Sequence, residues 1–371
     1  MKKILWIGPV VNHDHVAKYK AVSAAANVWQ IGFIRGLIEN NIEVILLSYI
    51  PYPTWPKGPL WASSNSEGIH SVEIKNIYFS YLNISFIREF WISFMIFFFS
   101  IFRIGDLKNY FIFTYNPSIR HLIFAKLLRI FYNCKWFSII ADDKSFGNPD
   151  YYIFLSFDYY KRFKKNNKLF LDGGIIQREI KDKSSRESNS SAIKSLVFAG
   201  GLSNVTGIFE FIDIFKNLNS KSYVLHIYGK EDSIFFKNQK NKFGNNIISH
   251  GFVSDEELDI ACKNAFAFVN PRPIDNYGSE NNFPSKLLMY LSYNKPIIST
   301  KTKGLAPNYD NILLYYSDIE SLKKCLSLIA NKEFYESIIK NTCFFNLENS
   351  WNKKIHILIN QYKIIEGGLS R

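Results

Sequence analysis

The residues best suited to chemistry lie in one stretch, Val269–Thr300 (VNPRPIDNYGSENNFPSKLLMYLSYNKPIIST). An apolar run ends in Asn270-Pro271-Arg272-Pro273. A polar loop follows, and Phe283-Pro284-Ser285-Lys286 opens a helix expected over Ser285–Leu291. Proline suits a first helical turn because its missing N–H has no partner to lose there. The other N–H groups of that turn, with the helix dipole, make a place for an anion. Lys286 adds a mobile positive charge, and Arg272 adds a planar fork matched to phosphate oxygens. A well-capped surface helix with solvated cations fits the same residues. A second stretch, Val197–Glu210 (VFAGGLSNVTGIFE), sets Gly200-Gly201 between a strand and a helix. There the backbone can approach a ligand closely, although glycine pairs also end strands for conformational reasons alone. Neither this turn nor the one at Gly8 has the G-x-G-x-x-G spacing, which counts against a dinucleotide-dependent oxidoreductase.

Other polar groups are more ambiguous. His13, Asp14 and His15 follow the first apolar run, but three consecutive side chains of an extended segment cannot all face one metal ion. Asp142-Asp143 ends a strand, where it can orient a hydroxyl or cap a turn, and it lacks D-x-D spacing. His121, His226 and His250 read as structural residues rather than a catalytic base. The cysteines Cys134, Cys262, Cys325 and Cys343 lie far apart, without C-x-x-C or zinc-type spacing. A reducing cytoplasm without disulfides is the expectation.

These groups must be positioned by a substantial core. The chain has 371 residues, 47% hydrophobic and 21% charged, which suits two globular domains and excludes disordered, collagen-like and coiled-coil chains. Its net charge of +13 favours polyanionic partners, but no RNP-like, helix-turn-helix or zinc pattern points to nucleic acid. Aromatic residues reach 17% and are spread over the whole chain, as core filling would have them rather than a sugar- or base-binding ladder. No secretory signal is expected, since the first apolar run stops at Gly8-Pro9. The uncharged run Phe90–Phe102 (FWISFMIFFFSIF) falls short of the ~18–20 residues of a spanning helix. It fits a core helix or one lying at a membrane interface. Lys161, Arg162, Lys164, Lys165 and Lys168, beside Phe157, Tyr159, Tyr160 and Phe163, fit either a site for anionic headgroups or a solvated face.

Hydrophobic runs alternate with amphipathic segments, as in α/β proteins with parallel sheets. Strands are expected at Lys3–Ile7, Glu43–Ser48, Tyr110–Thr114 and Lys135–Ala141, with Ile153–Ser156 as the last of the first half. Helices are expected at Ser23–Glu39 and Ile119–Phe131. The Ser-rich segment Lys181–Lys194 reads as a linker. The alternation then restarts with strands Ser195–Ala199, Tyr223–Tyr228, Ala265–Val269 and Pro296–Ser299 and helix Gly207–Leu218. Two doubly wound halves imply a cleft, with ligands at the carboxyl ends of the strands.

The succession FAGGL, HIYGK, ISHGFVS, AFVNPRP, FPSKLLMYL and KPIIST resembles the nucleotide-sugar half of GT-B glycosyltransferases. It is most similar to family 4-like enzymes of bacterial surface polysaccharide (O-antigen or capsule) synthesis. The resemblance covers Ser195–Thr300. It implies two Rossmann-like domains facing each other across a cleft: residues 1–180, joined by a final helix at about 350–371, and residues 195–349. It further implies a nucleotide-diphosphate-sugar donor, a lipid-linked saccharide acceptor, retention, no metal and no separate cofactor. The protein would then be cytoplasmic, held at the inner face of the cell membrane by its anionic surface. By matching positions, Lys286 and Arg272 would be catalytic, neutralising the leaving diphosphate together with Ser285 and Pro284. Gly200 and Gly201 would face the phosphates, Tyr228 and Phe252 would flank the base, and His13, Asn116 and Asp142 would lie on the acceptor side. The sequence departs from the family where a Glu–seven residues–Glu motif is usual, whose second Glu grips the nucleotide ribose: Met289 takes the second place, and Glu280, the donor-side candidate for the first, lies nine residues earlier, one step out of register. The basic pair usual after the glycine turn is replaced by the region of Ser203 and Thr206. A GT-B binding module with a degenerate donor site is the alternative this suggests.

Overall fold

The computed structural model describes residues 3–12, 16, 21–64, 74–104, 107–142, 147–178, 193–218, 220–230, 243–273 and 281–362. His13–His15, Asp143, Glu280 and most of the Lys181–Lys194 segment lie outside them. The chain divides into two compact units, Met1–Gly174 with Trp351–Arg371, and Ile175–Ser350.

The first unit is built on a seven-stranded sheet, all parallel, from β1 (Lys3–Ile7), β2 (Val44–Ser48), β4 (Lys75–Tyr78), β6 (Tyr110–Tyr115), β7 (Lys135–Ile140), β8 (Tyr151–Phe154) and β9 (Lys168–Phe170). Their order is β4-β2-β1-β6-β7-β8-β9. The central runs KILWI, VILLS and YFIFTY are apolar almost throughout because both faces of a parallel sheet are covered. Two short strands, β3 (Trp61–Ala62) and β5 (Tyr81–Leu82), form a separate antiparallel pair. The sequence places the last strand at Ile153–Ser156, but it lies two residues earlier and β9 follows it. The short β9 is tied down by its own lysine, since Lys168 Nζ donates to the carbonyls of Tyr160 and Phe163.

Helices α1 (Ala24–Glu39), α2 (Ile87–Phe99), α3 (Ile119–Tyr132) and α4 (Phe157–Arg162) complete this unit with the C-terminal helix α10 (Trp351–Tyr362). Ser23 caps α1 by accepting from the Ala26 N–H. Gly32 and Gly36 let α10 lie against α1, because a Cβ at either would strike Trp351 or Ile355. Trp351 packs edge-on to Trp29 at 5.2 Å, and Lys354 reaches the fully buried Asp172 carboxylate at 2.9 Å. These contacts assign the last helix to the first unit.

The second unit has six parallel strands: β10 (Lys194–Ala199), β11 (Tyr223–Tyr228), β12 (Ile247–Gly251), β13 (Ala267–Asn270), β14 (Ile297–Ser299) and β15 (Leu313–Tyr315). The order is β12-β11-β10-β13-β14-β15. Counted from β10 this is 3-2-1-4-5-6, the doubly wound order whose crevice opens where the winding reverses, between β10 and β13. Helices α5 (Ile208–Asn217), α6 (Asp255–Asn264), α7 (Lys286–Leu291), α8 (Ile319–Ala330) and α9 (Lys332–Glu348) belong to this unit. Phe198, Phe211, Phe215 and Leu322 lie in its core.

Candidate functional site

The segments singled out by composition meet at that reversal. Gly200 follows β10, Arg272 follows β13, and Lys286 begins α7. Gly200 sits at φ +153°, and a Cβ there would run into the Lys286 side chain. Its N–H donates to the Tyr228 carbonyl at 2.8 Å, which holds the turn against the end of β11. Gly229, at φ +157°, makes room for the Gly200 carbonyl in turn. Nothing lies within 4 Å of a Cβ placed on Gly201, so the second glycine faces open space.

Lys286 lies across the Phe198 ring, Nζ 4.6 Å from its centroid. The Arg272 backbone is fixed from both sides: its N–H donates to Thr300 Oγ1 at 2.9 Å, and it packs over Gly207, whose φ of +68° only glycine adopts freely. Its guanidinium reaches the Val205 carbonyl at 3.4 Å. Among the described residues no carboxylate pairs with Arg272 or Lys286. Burial, with the positive charge of Arg272 beside it, pushes the Lys286 ammonium down to about 7. Burial also lowers Arg272 from its ordinary value. Two half-buried cations with no carboxylate partner among the described residues form a site poised for a multiply charged anion.

The helix start differs from expectation. Lys286 rather than Ser285 is the first helical residue, and Ser285 is already in the right-handed helical region without a side-chain capping bond. The turn is tightened by bonds from the Leu287 N–H to the Pro284 carbonyl and from the Leu288 N–H to the Ser285 carbonyl. The Ser285 hydroxyl is therefore not engaged in capping. Met289 is half-buried on the same short helix.

Tyr228 and Phe252 differ in kind. Tyr228 is buried, its ring parallel to His250 at 4.4 Å, while Phe252 is 73% exposed just past β12. His250 and His226 share a 2.9 Å hydrogen bond, and burial lowers the pKa of both. These two histidines thus form a pair at the β11–β12 edge, and His121 is buried in the first unit. Three residues beside these cations and glycines are not among those the sequence singles out. Phe198 underlies Lys286, Gly229 seats Gly200, and Tyr290 binds both backbone groups of Ala199, at 2.9 and 3.2 Å. Tyr290 had one available signal: it stands four residues after Lys286, on the same face of the helix.

In the first unit, Asn116 and Asp142 come together at the carboxyl ends of β6 and β7. Asn116, at φ +42°, donates to Asp142 Oδ2 at 2.8 Å and accepts from the Ala141 N–H at 2.8 Å. Asp142 is exposed beside the buried Tyr115, whose hydroxyl is pushed above its ordinary pKa by burial first and by that carboxylate second.

Residues 193–331 match the family described as Glycosyl transferases group 1. No curated protein matches the sequence. Among solved structures, a glycosyltransferase from Rickettsia africae is similar at TM-score 0.69 and 11% identity, over 99% of this chain and 100% of that one. AviGT4, a glycosyltransferase involved in avilamycin A biosynthesis, follows at 0.63 and 12%, with 99% of each chain covered. HepE of Anabaena, solved in complex with UDP, gives 0.62 and 12% over 97% and 100%. The fold is GT-B.

Proposed function

We propose that the protein is a glycosyltransferase that moves a sugar from a nucleotide-diphosphate-sugar donor to a lipid-linked oligosaccharide in surface polysaccharide synthesis. It works at the inner face of the cell membrane, with retention and without a metal. The observation that carries this reading is the pairing of Arg272 and Lys286, both half-buried and without a carboxylate partner among the described residues, at the reversal point of a doubly wound sheet. The fold of HepE, which binds UDP and UDP-glucose, supports a donor of that kind.

In this mechanism the bond from the anomeric carbon to the diphosphate oxygen breaks ahead of the new bond, which an acceptor oxygen forms on the same face of the sugar ring. The leaving diphosphate takes the electron pair, and one of its oxygens takes the proton of the acceptor hydroxyl. The negative charge growing on the leaving group is met by Arg272 and Lys286, already fixed in place, so little reorganisation is needed during the reaction. Gly200 and Gly201 let the backbone approach the phosphates. Ser285 has a hydroxyl to offer them, and Pro284 sets the turn. Phe252 supplies a face for the base beside Tyr228, and Asn116 orients Asp142 toward an acceptor hydroxyl.

Thermal stabilisation by UDP, GDP, dTDP and their sugar conjugates tests the reading. A ligand at ~100 times its Kd adds ~2.7 kcal/mol. The expected result is a selective shift with one nucleotide, lost in Lys286→Ala, followed by transfer to a lipid-linked saccharide. Met289, which has no oxygen for a ribose hydroxyl, favours a second reading, a binding module with a degenerate donor site. Absence of any shift would select that one.

A further inference from the structure

The helix that was expected to be buried or interfacial is half of each. Ile92, Ser93 and Ile96 form the inner side of α2, and Phe90, Phe94 and Phe98 stand on its outer side. An outer helical face in water is ordinarily polar. Here Phe90 is 61% and Phe94 59% exposed. The stripe continues past α2 through a π-helical turn, Ser100–Ile104, which brings Phe102 onto Phe98 at 5.7 Å with its ring 74% exposed. At the other end Phe86 is held at φ +63°, a conformation bulky residues rarely adopt, and is equally exposed. Two neighbouring segments widen the face. Exposed Ile130 and Phe131 end α3, with Phe131 against Phe97 at 6.1 Å, and Trp61 meets Trp91 at 5.9 Å. Together these side chains expose on the order of 1,000 Å² of apolar surface, taking ~200 Å² for each aromatic ring. The largest patch of an ordinary soluble monomer is about 300–600 Å².

Charge decides what covers this face. The first unit holds 24 Lys and Arg against 13 Asp and Glu, or +11, and the second 21 against 19, or +2. Arg103 and Lys108 at one end of the stripe, and Lys57 beside Trp55, are exposed. A second copy docked here would set +11 against +11, whereas an anionic bilayer attracts it. Among the basic residues at 161–168, Arg162 pairs with Asp158 at 2.7 Å, Lys165 donates to Asn148 Oδ1 at 2.7 Å, and Lys168 donates to two carbonyls.

We infer that the outer face of α2, its π-helical extension and the end of α3 form a membrane-inserting surface that sinks aromatic side chains into the interface of an anionic bilayer. The inference specifies the membrane contact that the proposed function requires, and it rests on that reading for its purpose but not for its observations. The test is co-sedimentation of the full chain with phosphatidylglycerol–phosphatidylcholine vesicles, without nucleotide sugar or acceptor. The expected result is binding that weakens with salt and is lost on pure phosphatidylcholine. Phe90→Ser and Phe94→Ser should each weaken it about tenfold, and Ile130→Ser several-fold. Unchanged binding by these variants would overturn the inference. So would a dimer in solution that the variants dissociate, without vesicle binding by the wild type. Melting curves of the same samples, with and without UDP, GDP and dTDP, report folding of the variants and donor binding together. If no nucleotide stabilises any of them, wild type included, while all melt as folded proteins and vesicle binding behaves as expected, the donor reading fails and the membrane surface stands.

Discussion

Replacing Lys286 by Met should make the unliganded protein more stable while destroying its donor site. The Lys286 ammonium is lowered from 10.5 in the open chain to about 7 in the folded one. Between those values the unfolded chain holds a proton that the native one has released, so stability should rise with pH across pH 7–10. At pH 7 the difference amounts to ~4 kcal/mol of lost stability, at ~1.4 kcal/mol per pKa unit, and by pH 9 it falls to ~2 kcal/mol. Met fills the same space without a charge, and swaps of buried ionic groups for apolar ones commonly gain ~1–4 kcal/mol. For a unit of ~150–250 residues each kcal/mol moves Tm by ~2–4 °C. Thermal unfolding of wild type and Lys286→Met from pH 6 to pH 10 reads this directly. The variant should melt several degrees higher at pH 7, and the gap should close toward pH 10. Its stabilisation by the nucleotide that shifts the wild type should vanish. In the wild type a bound diphosphate raises the Lys286 pKa again, so binding at pH 8 takes up a proton. Calorimetry in buffers of different ionisation enthalpy measures that uptake. A variant that melts lower than wild type at every pH, or a wild type whose stability is flat between pH 7 and pH 9, would refute this account of the site.

Asn116→Ala removes the partner of the Ala141 N–H and of Asp142 at once, so it should cost ~1–3 kcal/mol of stability. If the acceptor assignment is right it should also raise the acceptor KM more than the donor KM, as steady-state kinetics with each substrate varied will show. Acid should destabilise the second unit through His226 and His250, whose folded pKa values are lowered by burial. As pH falls below ~6.5 the unfolded chain takes up protons the native pair resists, and His226→Phe should flatten that loss in a pH series of melting curves.

The sheets were legible where strands are covered on both sides. Lys3–Ile7, Val44–Ser48 and Tyr110–Tyr115 are nearly continuous apolar runs because a central parallel strand meets helices above and below. Edge and near-edge strands carry no such signature. Lys75–Tyr78 mixes Lys and Asn with its apolar residues, and Lys168–Phe170 is three residues long behind a run of Asn and Lys, so neither was read as a strand. In the site, Arg272, Lys286 and Gly200 were visible because their residue types are chemically distinctive. Tyr290 and Phe198 were not, since each acts through a contact some 90 residues away in sequence. The joining of Asn116 to Asp142 depends on β6 and β7 being neighbours, which follows from sheet order and not from either residue.

Met289 stands where the resemblance places the second Glu of the motif. A carboxylate at that place would accept from ribose hydroxyls, and a hydrogen bond to a charged group contributes ~1.5–3 kcal/mol. On the proposed function its absence should weaken donor binding by roughly ten- to a hundredfold while leaving the cations proposed for the diphosphate untouched. Those cations lower the stability of a fold whose whole margin is ~5–15 kcal/mol, and a bound anion offsets that loss. Weak donor binding with intact turnover is the expected combination, not an empty site. Met289 is half-buried rather than enclosed, so a carboxylate can be accommodated there. Met289→Glu should tighten the selected nucleotide about tenfold with little change in kcat. If affinity is unchanged while Lys286→Ala still abolishes it, the ribose is held elsewhere. If neither substitution alters nucleotide binding, the reversal point between β10 and β13 is not the donor site.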